Sequence, residues 1–113
     1  MTDVSGMDVL NEPLTPAVFH ILLALSEGER HGYAIQQTVA RDTDGKLSMG
    51  PGTLYGTLKR LLEAGLVEEA GETERRRYYR LTSAGQASVR GEAARLARLV
   101  QVAQERKLVE VPS

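Results

Sequence analysis

Residues 51–65 read PGTLYGTLKRLLEAG. At about 100° per residue, Leu54, Leu58, Leu61 and Leu62 fall within one stripe of about 100°, the width of a core-facing helix face. The opposite side collects Gly52, Thr53, Gly56, Lys59 and Arg60. A solvated helix face ordinarily carries Glu, Lys or Gln, and glycine there costs about 1 kcal/mol relative to alanine. Two glycines on the polar face therefore need a reason. Gly52 could serve the turn after Pro51, and Gly56 could admit a neighbouring helix. Alternatively, the small residues let the backbone come close to another molecule. Ala64-Gly65 stops the helix as a glycine C-cap.

Upstream, Thr15-Pro16 places a hydroxyl at the N-cap and proline at the first helical position. Val18, Ile21, Leu22 and Leu25 then recur at three and four residues, predicting helix one to about Ser26. Tyr33, Ala34, Ile35 and Val39 make a shorter amphipathic helix two, closing near Asp44-Gly45. KLSMG is an extended connection, and helix three is entered between Ser48 and Pro51. Downstream, LVEEAGE and RRRYYRL are short β-type runs, and a polar link around Gly71 to Glu74 predicts a hairpin. Tyr78 and Tyr79 point to opposite faces of its second strand, one toward the core. Thr82 and Ser83 cap a final helix through about Lys107. The sequence thus predicts a mainly α fold with a small β-hairpin. It divides into a flexible arm (1–13, with Met7 as an alternative start), a helix-turn-helix with wing (14–82), a long helix (83–108) and a tail (109–113).

The chain has 113 residues and no cysteine, so disulfides, cysteine-ligated zinc and thiol catalysis are all excluded. The longest apolar run, Ile21 to Leu25, is far short of the roughly 20 residues of a membrane span. The first ten residues carry acids where a secretion signal would carry bases, so a cytoplasmic protein is expected. Net charge is −1, but its distribution is uneven. Residues 1–44 hold two bases against seven acids, and residues 45–113 hold twelve bases against eight acids. A phosphate backbone responds to that local density of base.

Helix three follows a helix and precedes a hairpin, which is the order of a recognition helix in a winged helix-turn-helix. Such a helix enters the major groove with its N-terminal residues. Arg75, Arg76 and Arg77 cluster where the second strand begins, and arginine gives strong phosphate contacts from a hairpin tip. Glu68, Glu69, Glu72 and Glu74 stand beside them and would weaken that field. In the last helix Val89, Ala93, Leu96, Val100 and Ala103 step by 4, 3, 4 and 3 residues, a coiled-coil seam. The domain is too small to bury the whole stripe, so a second copy is its expected partner.

Three stretches together resemble the PadR family of bacterial transcriptional regulators: LTPAVFHILLALSEGERHGYAIQQ, SMGPGTLYGTLKRLLEAGLVEE and RRRYYRLTSAGQ. The resemblance covers roughly residues 14–107. It implies a winged-helix homodimer that represses transcription from a pseudo-palindromic operator and releases the DNA when a small-molecule effector binds. It also implies DNA contacts from Ser48, Thr53, Tyr55, Lys59 and the Arg75 to Arg77 wing, and the polar face of helix three adds Gly52 and Arg60 as candidates. The final helix is the family's dimerisation element. The family commonly has proline after TLY, where this chain has Gly56. A single C-terminal helix corresponds to the short branch, so an effector would bind between protomers. No tryptophan is present and the final helix has no aromatic residue, which disfavours a flat aromatic effector held by stacking.

No catalytic site, metal site or cofactor is expected. His20 and His31 lack a companion ligand pattern, and there is no GxSxG, phosphate-binding loop or dinucleotide fingerprint. The competing class is a winged helix that binds another protein and never meets DNA.

Overall fold

The computed structural model describes residues 13–111. The arm expected at the N-terminus therefore lies, except for Pro13, outside the described residues, as do the last two residues of the tail. Four helices and three short strands follow in the order α1 (Pro16–Leu25), β1 (Arg30–His31), α2 (Gly32–Asp42), α3 (Pro51–Glu63), β2 (Val67–Thr73), β3 (Arg76–Leu81) and α4 (Ser83–Glu105).

The helix starts follow their caps. Thr15 accepts the Val18 N–H at 3.3 Å ahead of Pro16, and Thr82 accepts the Gly85 N–H at 3.0 Å. α2 is capped by His31, whose Nδ1 accepts the Ala34 N–H at 3.2 Å. α3 begins after Gly50 with no side-chain cap. The Ser48 hydroxyl thus plays no capping part.

α1 is the central element, packed against α2, α3, α4 and β3. Its Ile21, Leu22, Ala24 and Leu25 join Ile35, Val39, Leu54, Leu58, Leu61, Val67 and Tyr79 in one core. Three of the four leucines of the α3 stripe are fully buried, and Leu62 is half-buried. Thr57 joins that face, 1% exposed.

The joint between α2 and α3 is hydrogen-bonded as well as apolar. Asp44 and Gly45 adopt positive φ (53° and 76°) to turn the chain. Thr43 Oγ1 then accepts the Leu47 N–H at 3.0 Å, and Gln36 Nε2 donates to the Met49 carbonyl at 2.7 Å. These contacts set the angle at which α3 leaves the core.

The sheet has three strands, not the hairpin alone. Antiparallel order is β1-β3-β2, with Arg30 opposite Tyr79 and His31 opposite Tyr78. Two residues carry no periodicity, so β1 left no local signal. The turn also sits later than expected. Gly71 (φ 141°) marks a register shift within β2, a bulge rather than the start of the link. The strand runs on to Thr73, and Glu74-Arg75 make the tight turn with φ 51° and 69°. Both central residues at positive φ match the twist of a two-residue hairpin, although neither is the Asn or Gly usually found there.

Candidate nucleic-acid interface

The outer face of α3 presents Gly52, Thr53, Tyr55, Gly56, Lys59 and Arg60, all exposed. Among the described residues, a Cβ placed on Gly52 or Gly56 would meet nothing within 4 Å, and neither residue has a positive φ. The two internal explanations for these glycines therefore fail. No turn requires Gly52, and among the described residues no helix approaches Gly56. What remains is a helix face whose backbone is open to close approach from outside. Ser48 is exposed in the connection just before the helix.

Tyr55 packs across onto α2. Its ring lies over the start of α2, so that a Cβ on Gly32 would strike the Tyr55 hydroxyl. Half of the side chain stays exposed. Gly32 is thus the seat on which Tyr55 rests.

The acids beside the wing neutralise only part of it. Arg77 faces Glu69 and Glu72 at 3.7 and 4.0 Å, and Arg80 pairs with Glu68 at 2.7 Å and Glu29 at 3.7 Å. Among the described residues, no carboxylate lies within ion-pair distance of Arg75 or Arg76. Cross-strand register explains the division, since Glu72 opposes Arg77 and Glu68 opposes Arg80. Exposed pairs of this kind are worth at most about 1 kcal/mol, so a phosphate can still recruit Arg77.

Helix and wing meet in a cleft of about 610 Å³ lined by His31, Tyr33, Tyr55, Glu72, Arg75, Arg76 and Arg77. Tyr33 was expected on the apolar face of helix two. It is 59% exposed instead and lines the cleft. Its wheel position, about 200° from Ile35, is the signal that would have found it. Arg76 Nη1 reaches 2.8 Å from His31 Nε2, and the His31 ring stands edge-on to Tyr78 at 5.3 Å. Burial, and then the positive charge of Arg76, hold the His31 pKa below its ordinary value. Tyr79 is the core-facing member of its pair, 4% exposed, and burial raises its pKa.

Along α4 the candidate seam divides. Val89 is 6% exposed and lies within the core of its own chain. Ala93 and Val100 are exposed, and Leu96 and Ala103 are half-buried. Leu99, absent from the expected seam, is 50% exposed. Glu92 is buried beside Val89 and chelated by Arg95 at 3.0 and 2.7 Å, which lowers its pKa.

Among the described residues no three His, Asp or Glu side chains gather as a metal site, and no helix is long and apolar enough to cross a membrane.

The transcriptional regulator PadR-like family model matches residues 21–91, more than half of the chain. A transcriptional regulator from Clostridium thermocellum superposes with a TM-score of 0.68 at 29% identity, covering 83% of this chain and 90% of that one. RosR from H. salinarum gives 0.61 at 28% identity, over 83% and 78% of the two chains. An uncharacterized 37.1 kDa transposon protein of Streptomyces fradiae is 42% identical over 79 residues, 70% of this chain but only 22% of that protein's length.

Proposed function

This chain belongs to the PadR-like family of transcriptional regulators, and from that premise we propose that it is a dimeric, sequence-specific DNA-binding repressor released by a small-molecule effector. The observation that carries DNA binding is the shared cleft. Tyr55 of α3 and Arg75, Arg76 and Arg77 of the wing line one concavity, beside a helix face cleared by Gly52 and Gly56. In this reading Thr53 and the two glycines approach base edges in the major groove. Ser48, Tyr55, Lys59, Arg60 and the wing arginines hold phosphates. Tyr33 joins them from the start of α2.

The dimer forms through α4, where the exposed Leu99 and Val100 and the half-buried Leu96 and Ala103 offer apolar surface. Two-fold symmetry then places two half-sites about 34 Å apart in a pseudo-palindromic operator. The effector binds between protomers near the final helices, and the protein acts in the cytoplasm.

The test is a mobility shift on the chain's own upstream DNA, with random duplex as competitor, across a salt series. If each protomer neutralises about three phosphates, the log–log salt slope lies near −5. A complex with a protein partner that is indifferent to salt, and no specific duplex complex at low salt, would favour the protein-binding winged helix instead.

A further inference from the structure

His31 holds two contacts that one neutral imidazole cannot satisfy together. Its Nδ1 accepts the Ala34 N–H at 3.2 Å, which requires a lone pair on that nitrogen. Its Nε2 lies 2.8 Å from Arg76 Nη1, and a guanidinium nitrogen only donates, so this contact requires a lone pair as well. A neutral ring has one lone-pair nitrogen and one N–H. With the proton on Nε2, the α2 cap forms and Arg76 is turned away. With the proton on Nδ1, Arg76 is held and the Ala34 amide loses its acceptor.

β1 pairs His31 with Tyr78 through the backbone, and the Tyr78 ring stands at 82° against the imidazole. The competitor is the free end of the wing. Arg76 is exposed, and among the described residues it faces no carboxylate. Glu72, Arg75 and Arg77 line the same cleft, but Glu72 is engaged by Arg77.

We propose that His31 is a positioning residue for Arg76, holding the wing arginine in one tautomer and releasing it in the other, with the α2 cap as counterweight. A DNA phosphate is an anionic acceptor, and charge-assisted hydrogen bonds are roughly twice as strong as neutral ones. When such a phosphate takes Arg76, the ring proton moves from Nδ1 to Nε2 through solvent, and Nδ1 closes the cap. Only this last step rests on the DNA-binding reading.

The experiment is ¹⁵N–¹H correlation of the His31 ring near pH 7.5, on the full chain, on Arg76→Ala and on the wild type bound to its duplex. The wild type alone should populate the Nδ1–H tautomer. Arg76→Ala should shift the ring to Nε2–H and slow Ala34 amide exchange about fivefold, the factor a typical cap represents. His31→Asn caps α2 without reaching Arg76 and should give that slower exchange whether position 76 is Arg or Ala. Identical tautomers in wild type and Arg76→Ala would overturn the proposal. If Arg76→Ala shifts the ring but a duplex bound in the same sample does not, the release step is overturned and DNA binding stands. If no duplex binds, the DNA-binding reading fails alone, and the Arg76→Ala comparison still decides whether His31 holds Arg76.

Discussion

The backbone of Gly85 touches the carbonyl group of Leu66 so closely that a side chain at position 85 would strike its oxygen. Thr82 completes the joint. Its N–H donates to the Leu66 carbonyl at 3.1 Å and its hydroxyl to the Gly65 carbonyl at 2.6 Å. The end of α3 and the start of α4 are thus fastened backbone to backbone, with little room to relax. Gly85→Ala should destabilise the fold by about 1–3 kcal/mol, as overpacking does. Gly91→Ala in the same helix meets open space and should stabilise it by about 0.5–1 kcal/mol. Thermal melting of both variants checks the contrast.

Gly56 tests the open face of α3. Gly56→Ala adds a methyl group that touches nothing among the described residues, so stability should rise by about 1 kcal/mol. If DNA approaches the helix backbone there, affinity for the operator should fall at the same time. A stabler variant with unchanged affinity in a mobility shift would remove Gly56 from the interface.

The wing tip sets stability against charge. Arg75 sits at φ 69°, where an L side chain is strained by roughly 1–2 kcal/mol and glycine is not. Arg75→Gly should raise the melting temperature by several degrees. It should also weaken binding to specific and random duplex alike and flatten the salt slope by about 1, as loss of one phosphate contact does.

Val100 lies in the C-terminal part of α4 and is 41% exposed. Val100→Asp should leave the helix content of the protein unchanged and shift sedimentation from dimer toward monomer. A variant that still sediments as a dimer would place the seam on another face of α4.

Glu92 predicts a pH dependence. Its hydrogen bonds with Arg95, helped by a backbone contact from Leu14, hold its pKa in the folded chain below the ordinary carboxylate value. A carboxyl depressed by folding contributes stability that is fully present above its unfolded pKa of about 4.3 and is lost as pH falls through the folded value. Melting temperature should therefore drop more steeply below about pH 4.5 in the wild type than in Glu92→Gln. Equal slopes would show that Arg95 remains solvated and adds nothing.

The helices were legible because their signals are local. Thr15-Pro16, the leucine stripe of α3 and Thr82-Ser83 act within one or two turns, so the sequence by itself determined the order of the four helices and the hairpin and the winged-helix class. The Arg75 to Arg77 cluster and the family resemblance pointed to the same face. Tertiary structure alone decided what depends on residues far apart in the chain. β1 exists because Tyr78 and Tyr79 pair with it. Register across the hairpin chose which arginines meet acids, leaving Arg75 and Arg76 without carboxylate partners among the described residues. The fold of α4 onto α1 put Val89 in the core and left Leu99 and Val100 outside. Open space beyond Gly52 and Gly56 separates an exposed helix face from a packed one. Periodicity records which residues share a face, but only the assembled chain shows what that face meets.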